Sequence, residues 1–262
     1  MGIRARLAVV SVSAFAVGVL LGPWVFGPPG APAPAASDPA PSSAVLSEPE
    51  VPVNYATEQP ELPTQPPVLT DVQEANLLAG VRGDTVPPTG SGVLRIATGA
   101  SPAPAGDAPL TTIRVEVETG LDVDDAQLAT FVINSLNDPR GWSERGLARF
   151  EWTDGEADLR VVLATPGTTD ALCAPLETNG LWSCGRDGQA ILNAERWFFG
   201  AEAFLDGGGD LTGYRQYLVN HEVGHLLGRS HDSCPGPGQP SPVMVQQSIS
   251  LEGCQPNSWP SP

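Results

Sequence analysis

The chain has 262 residues and a formal charge of −17, with 30 acidic residues against 13 basic ones, all of them arginine. So acidic a balance argues against nucleic acid and anionic membrane surfaces as partners, because both are held by clustered cations. The N-terminal third is too poor in large apolar residues to build a core, so one folded domain of about 170 residues is expected rather than two.

Arg4 and Arg6 precede an uncharged apolar stretch from Leu7 to Phe26. About twenty such residues suit a signal peptide or a single-pass membrane anchor over residues 1–26, and the length of the run favours the uncleaved anchor. In either case the positive end stays in the cytoplasm and the rest is exported, to remain anchored at the cell membrane or to be secreted. Residues 27–87 read as a disordered linker. Segments such as Ala31-Pro32-Ala33-Pro34 and Ser47-Glu48-Pro49-Glu50 cannot bury enough surface to offset their ordering entropy, and their prolines favour an extended spacer. Near its end, Asp71 to Arg82 has the pattern of a short helix. The expected domain is residues 88–262.

Gly92 to Thr98 reads as a strand. Thr112-Ile113-Arg114-Val115-Glu116-Val117-Glu118 alternates apolar and charged residues with strand period. Asp122 is the expected N-cap of a helix through Leu136, whose Leu128, Val132, Ile133 and Leu136 form an apolar stripe. Asp122, Asp124 and Asp125 lack the spacing of a calcium loop and fit capping and helix-dipole roles better. Ala148 to Trp152 is another strand, and Asp158 to Ala164, with its near-continuous apolar core, is expected as a central strand buried on both faces. Gly180 to Cys184 and Gln189 to Asn193 look like a hairpin, followed by a short helix or loop carrying Trp197, Phe198 and Phe199. Thr212 is the expected cap of a last helix. The order of elements predicts an α+β fold, a twisted mixed sheet packed on two main helices.

Cys173, Cys184, Cys234 and Cys254 make an even set in an exported chain, which points to two disulfides with three possible connectivities. Closeness in sequence favours Cys173 with Cys184 and Cys234 with Cys254. No CxxC pair supports metal binding by these cysteines.

The last helix carries His221-Glu222-Val223-Gly224-His225-Leu226-Leu227-Gly228-Arg229-Ser230-His231. Residues at i and i+4 share a helix face, so His221 and His225 can aim two imidazoles at one ion. Gly228 can take the left-handed conformation that ends a helix, letting the chain return with His231 as a third nitrogen. The three histidines of the chain all fall on this pattern. Three nitrogens leave a tetrahedral Zn2+ one open position, the mark of a catalytic site, and Glu222 beside the first ligand is placed as general base.

This HExxHxxGxxH stretch resembles the zinc-binding consensus of the metzincin clan of endopeptidases. Met244, in Ser241-Pro242-Val243-Met244-Val245-Gln246, is similar to the methionine those proteins place in a turn beneath the metal. The resemblance implies a small C-terminal subdomain holding that turn. Asp232 resembles the acid that braces helix and turn in the adamalysin branch, and Gln246 stands where astacin-like and serralysin-like members place a tyrosine ligand. The C-terminal run also resembles an actinobacterial secreted domain family without an assigned function. The resemblance further implies a polypeptide substrate lying along an edge strand above the zinc, for which Leu181, Trp182 and Ser183 leading to Cys184 are the candidates. The zinc would activate a water and polarise the scissile carbonyl while Glu222 moves the proton. The expected protein is thus a monomeric, exported zinc endopeptidase. Alternatives are a zinc hydrolase of cell-wall peptide or amide bonds, and a catalytically silent binding domain that zinc only stabilises.

Overall fold

The alternation in Thr112 to Glu118 builds the strand on which the sheet is assembled. In the computed structural model, which describes residues 68–261, this strand is β2, Leu110–Glu118. The expected anchor and most of the expected linker lie outside the described residues. Around β2 are β1 (Leu94–Ile96), β3 (Arg149–Trp152), β4 (Leu159–Ala164), β5 (Cys184–Arg186) and β6 (Gln189–Asn193). They form one six-stranded sheet in the order β1-β2-β4-β6-β5, with β3 also pairing with β2. The pairs β2–β3, β2–β4 and β4–β6 are parallel, while β1 and β5 are antiparallel to their neighbours. The sheet is therefore mixed, and the fold α+β. β1 and β3 share one side of β2 end to end, since β1 meets Glu116 to Glu118 and β3 meets Leu110 to Ile113.

Because side chains alternate across a strand, the sheet makes two cores. Val115, Val117, Val161, Leu163, Ala190 and Leu192 face α2 (Asp125–Leu136) and α6 (Leu211–Leu226) in the larger one. Val162, Ala164 and Ile191 face the other way, toward a helix not foreseen from the sequence, α3 (Pro166–Cys173). β4 is central and buried on both faces as expected. Glu116 and Glu118 also point to the second face and are buried. Glu116 accepts from Arg114 and Arg160, and Glu118 from the amides of Gly92 and Thr165 and the Thr168 hydroxyl.

Several boundaries differ from the sequence reading. The folded region reaches N-terminal to residue 88, for α1 (Asp71–Leu78), capped by Thr70, is packed against α6. The guanidinium of Arg215 ties them, donating to the carbonyl of Ala75 and to Asn76 Oδ1. Asp124, not Asp122, caps α2, its carboxylate accepting from the Gln127 amide. Asp210, not Thr212, caps α6 through the Gly213 amide. The aromatic segment forms α4 (Ala194–Phe199) and is followed by α5 (Glu202–Asp206). Both disulfides form with the sequence-adjacent pairing, Cys173–Cys184 and Cys234–Cys254. Among the described residues no helix is long and apolar enough to cross a membrane.

Candidate metal centre

α6 is buried without a break from Tyr217 to Gly224, with Val219 and Val223 fully enclosed. That fixes the helix axis, and so the direction of the two imidazoles it carries. The helix closes at Leu227; Gly228 has φ +80°, and the amides of Gly228 and Arg229 return to the carbonyls of His225 (3.0 Å) and Gly224 (2.9 Å). Those bonds turn the chain back and bring His231 beside the helix.

The ring nitrogens of His221, His225 and His231 lie within 4.8 Å of one another. His221 Nδ1–H donates to the Val243 carbonyl and His225 Nδ1–H to the Arg229 carbonyl, each at 2.9 Å. A carbonyl only accepts, so both bonds place the proton on Nδ1 and leave the Nε2 lone pair free for an ion. His225 Nε2 and His231 Nε2 are 3.1 Å apart. Two nitrogens at zinc distance on a tetrahedron are about 3.3 Å apart, so this pair has the spacing for that ion and the three nitrogens suit it in number and type. Burial lowers the His221 pKa to about 3, and burial together with the neighbouring His225 lowers that of His231. Both rings are therefore neutral, the form that binds a metal.

Glu222 is 5% exposed and lines the same cleft, and burial raises its carboxyl to about 8. A nearby dication would reverse that shift by favouring the charged form. The cleft is about 320 Å³ and holds all three histidines with Glu222, Trp182 and Ile249 among its walls. The Cys173–Cys184 disulfide closes the loop that carries Trp182 along one side.

Beneath the histidines runs the Met244 turn. The Met244 sulfur reaches the helix at Gly224, where a Cβ would sit 2.6 Å from Sδ and 2.7 Å from the Trp142 ring. Tyr217, one helical turn before His221, donates its hydroxyl to the Val245 carbonyl at 3.1 Å and accepts from the Gln247 amide at 2.9 Å. Gln247 in turn is locked to Asn257 by two bonds. Tyr217 and the Val243 and Arg229 carbonyls were missed in the sequence. Tyr217 carried a signal, its position four residues before His221, whereas the carbonyls are main chain and leave none.

Two site assignments change. Asp232 does link to the turn, but through its amide, which donates to the Met244 carbonyl at 3.0 Å; its side chain is exposed. Leu181, Trp182 and Ser183 are not the edge strand. The amides of Leu181 and Trp182 are engaged in a turn on the Thr178 carbonyl, and the strand proper is Cys184–Arg186. Trp182 and Ser183 still line the cleft, joined by Gly185, whereas Leu181 does not. Gln246 is exposed at the cleft.

Residues 81–262 match the model of the family described as "Protein of unknown function (DUF3152)". No curated protein and no solved structure matches the chain.

Proposed function

Because the chain belongs to the DUF3152 family, whose function is unknown, its activity has to be inferred from the site, and we propose that it is an exported zinc-dependent endopeptidase with a metzincin-like catalytic domain. One observation carries the reading: three histidine nitrogens converge in a cleft beside a buried carboxylate, two of them with their tautomers set by main-chain carbonyls. A site that only stabilised the fold would need neither the open cleft nor Glu222.

Zinc, when bound, supplies Lewis acidity toward a carbonyl oxygen and toward water. Glu222 accepts the proton of the attacking water and hands it to the leaving amine. Its enclosure keeps bulk water from competing for that proton. β5 pairs with β6 on one side and is the sheet's edge on the other, so an extended peptide can add there through main-chain hydrogen bonds while its side chains meet Trp182 and Ile249. The two disulfides agree with an extracytoplasmic setting, where such bonds persist.

Metal analysis of the purified protein, with cleavage of a peptide library that includes muropeptides, tests this. The expected result is one zinc per chain and chelator-sensitive cleavage of linear peptides. Glu222→Ala should keep the zinc and lose cleavage by about 100-fold or more. An undiminished rate in that variant would remove Glu222 as the base. Zinc without cleavage of any peptide would favour a binding domain, and cleavage of muropeptides alone would move the substrate to the cell wall.

A further inference from the structure

Ser248, half-buried in the segment that follows the Met244 turn, lines the histidine cleft together with Tyr217, and its hydroxyl oxygen lies 2.8 Å from that of Tyr214. Tyr214 is fully buried on α6, its ring packed against Phe204 and Tyr217. Burial raises its pKa, so the phenol keeps its proton across the neutral range. That proton has to be placed. Ser248 Oγ is the hydrogen-bond partner of this phenol among the described residues. If Ser248 donated, the phenol proton would be buried without an acceptor, which costs more than the bond returns. Tyr214 therefore donates and Ser248 accepts.

The consequence falls on the second proton of the pair. The O–H of Ser248 cannot point back at Tyr214, and the Tyr217 hydroxyl beside it is already engaged, donating to the Val245 carbonyl and accepting from the Gln247 amide. The remaining direction is the cleft. Two other hydroxyls of the cleft are turned to the protein, for Thr178 donates to Asp170 and Ser183 accepts from the Asn193 amide. A fixed donor in a peptide cleft matches a carbonyl oxygen, which the main chain supplies at every residue. A peptide extended along β5 turns alternate carbonyls toward that strand and leaves the intervening ones for donors elsewhere on the cleft wall.

We propose that the Ser248 hydroxyl donates to a main-chain carbonyl of the bound polypeptide, and that Tyr214, buried behind it, is the positioning residue that aims it. The inference rests on the endopeptidase reading of the cleft. Its test takes the best-cleaved member of a random-sequence peptide library, resynthesised, as substrate for the zinc-loaded chain and for S248A, Y214F and the double variant. S248A should raise KM about fivefold or more with kcat within about twofold, the pattern of a bond made equally in ground and transition states. Y214F should raise KM by less, since the serine hydroxyl remains but can turn away. The double variant should be no worse than S248A, because Tyr214 acts only through Ser248. Zinc affinity should match the unaltered chain in all three, which separates the effect from damage to the metal centre. An unchanged KM in S248A, multiplicative effects of the two substitutions, or a zinc affinity that falls in step with KM would overturn it. An unaltered chain that cleaves no member of the library would instead overturn the endopeptidase reading, and this inference with it.

Discussion

At Gly185 a Cβ would sit 2.1 Å from the carbonyl oxygen of Glu222 and 2.8 Å from the Cβ of His225. Both neighbours belong to the buried helix α6 and cannot step aside. Gly185→Ala is therefore expected to cost about 1–3 kcal/mol by overpacking and to push the edge strand off the helix that carries Glu222. Gly228 is the opposite case. Nothing lies within 4 Å of a Cβ there, but φ is +80°, so Gly228→Ala carries only left-handed strain of about 1 kcal/mol. Urea denaturation checks the order, and a lower midpoint for Gly228→Ala than for Gly185→Ala would refute it. Only the second glycine was legible in the sequence. Its role is local, closing a helix three residues before a histidine, whereas the contact of Gly185 is with a segment nearly forty residues on.

The elements that hold the site are joined by side chains buried in α6. Tyr217 adds two bonds between helix and Met244 turn to the one made by His221, accepting from the Gln247 amide and donating to the Val245 carbonyl. Tyr217→Phe should destabilise by about 0.5–1.5 kcal/mol, as for hydrogen bonds lost while the Gln247 amide still donates to the Val245 carbonyl at 2.8 Å, and should weaken metal binding at the proposed site because the Val243 carbonyl on the same turn orients His221. Thermal unfolding and zinc titration of the variant report the two effects, and wild-type zinc affinity would separate the turn from the site. Arg215 does the equivalent for α1. Arg215→Met should speed hydrogen exchange at the amides of Asp71–Leu78 while α2 stays protected; unchanged exchange in α1 would show that other contacts hold it. The hairpin shows how element reading falls short. Asp187 and Gly188 have φ of +49° and +75°, and Asp-Gly is a strong signal for a two-residue turn. Yet a three-residue strand such as β5 has too little pattern to be told from the turn before it.

Across the whole molecule, the second face of the sheet rests on carboxylates whose ionisation is tied to folding. Burial alone would raise the Glu116 carboxyl, but hydrogen bonds and charge from Arg160 and Arg114 outweigh it and hold it below the ordinary range. Glu118 is likewise raised by burial and lowered further by the amides of Gly92 and Thr165 and the hydroxyls of Thr168 and Thr165. Because both are depressed in the folded state, the unfolded chain binds more protons in acid. Their stabilisation is complete at neutral pH and is lost as pH falls below about 4.3 and through the folded values. Glu116→Gln should lower the urea midpoint at pH 7 and flatten its decline in acid; a parallel decline would contradict the assignment. Zinc at the proposed site would add to the same balance. At a free concentration of about 100 times Kd it should stabilise by roughly 2.7 kcal/mol. Chelation should lower Tm but leave the far-ultraviolet circular dichroism intact, since both cores are built of apolar side chains and both cross-links are covalent.

The sequence by itself determined what depends on near neighbours. The i, i+4 histidines, the glycine that turns the chain toward His231, and the alternating and continuous strands follow from chain geometry over a few residues, while closeness in sequence favoured, among three connectivities, the cysteine pairing that forms. Only the tertiary structure decided what depends on distant segments meeting. The Val243 carbonyl on His221, Gly185 against Glu222, the burial of Glu116 and Glu118, and the docking of α1 through Arg215 belong to this second class. Their common cause is that packing selects partners by position in space, so a carbonyl or a missing Cβ can be decisive while leaving no mark in the residue pattern.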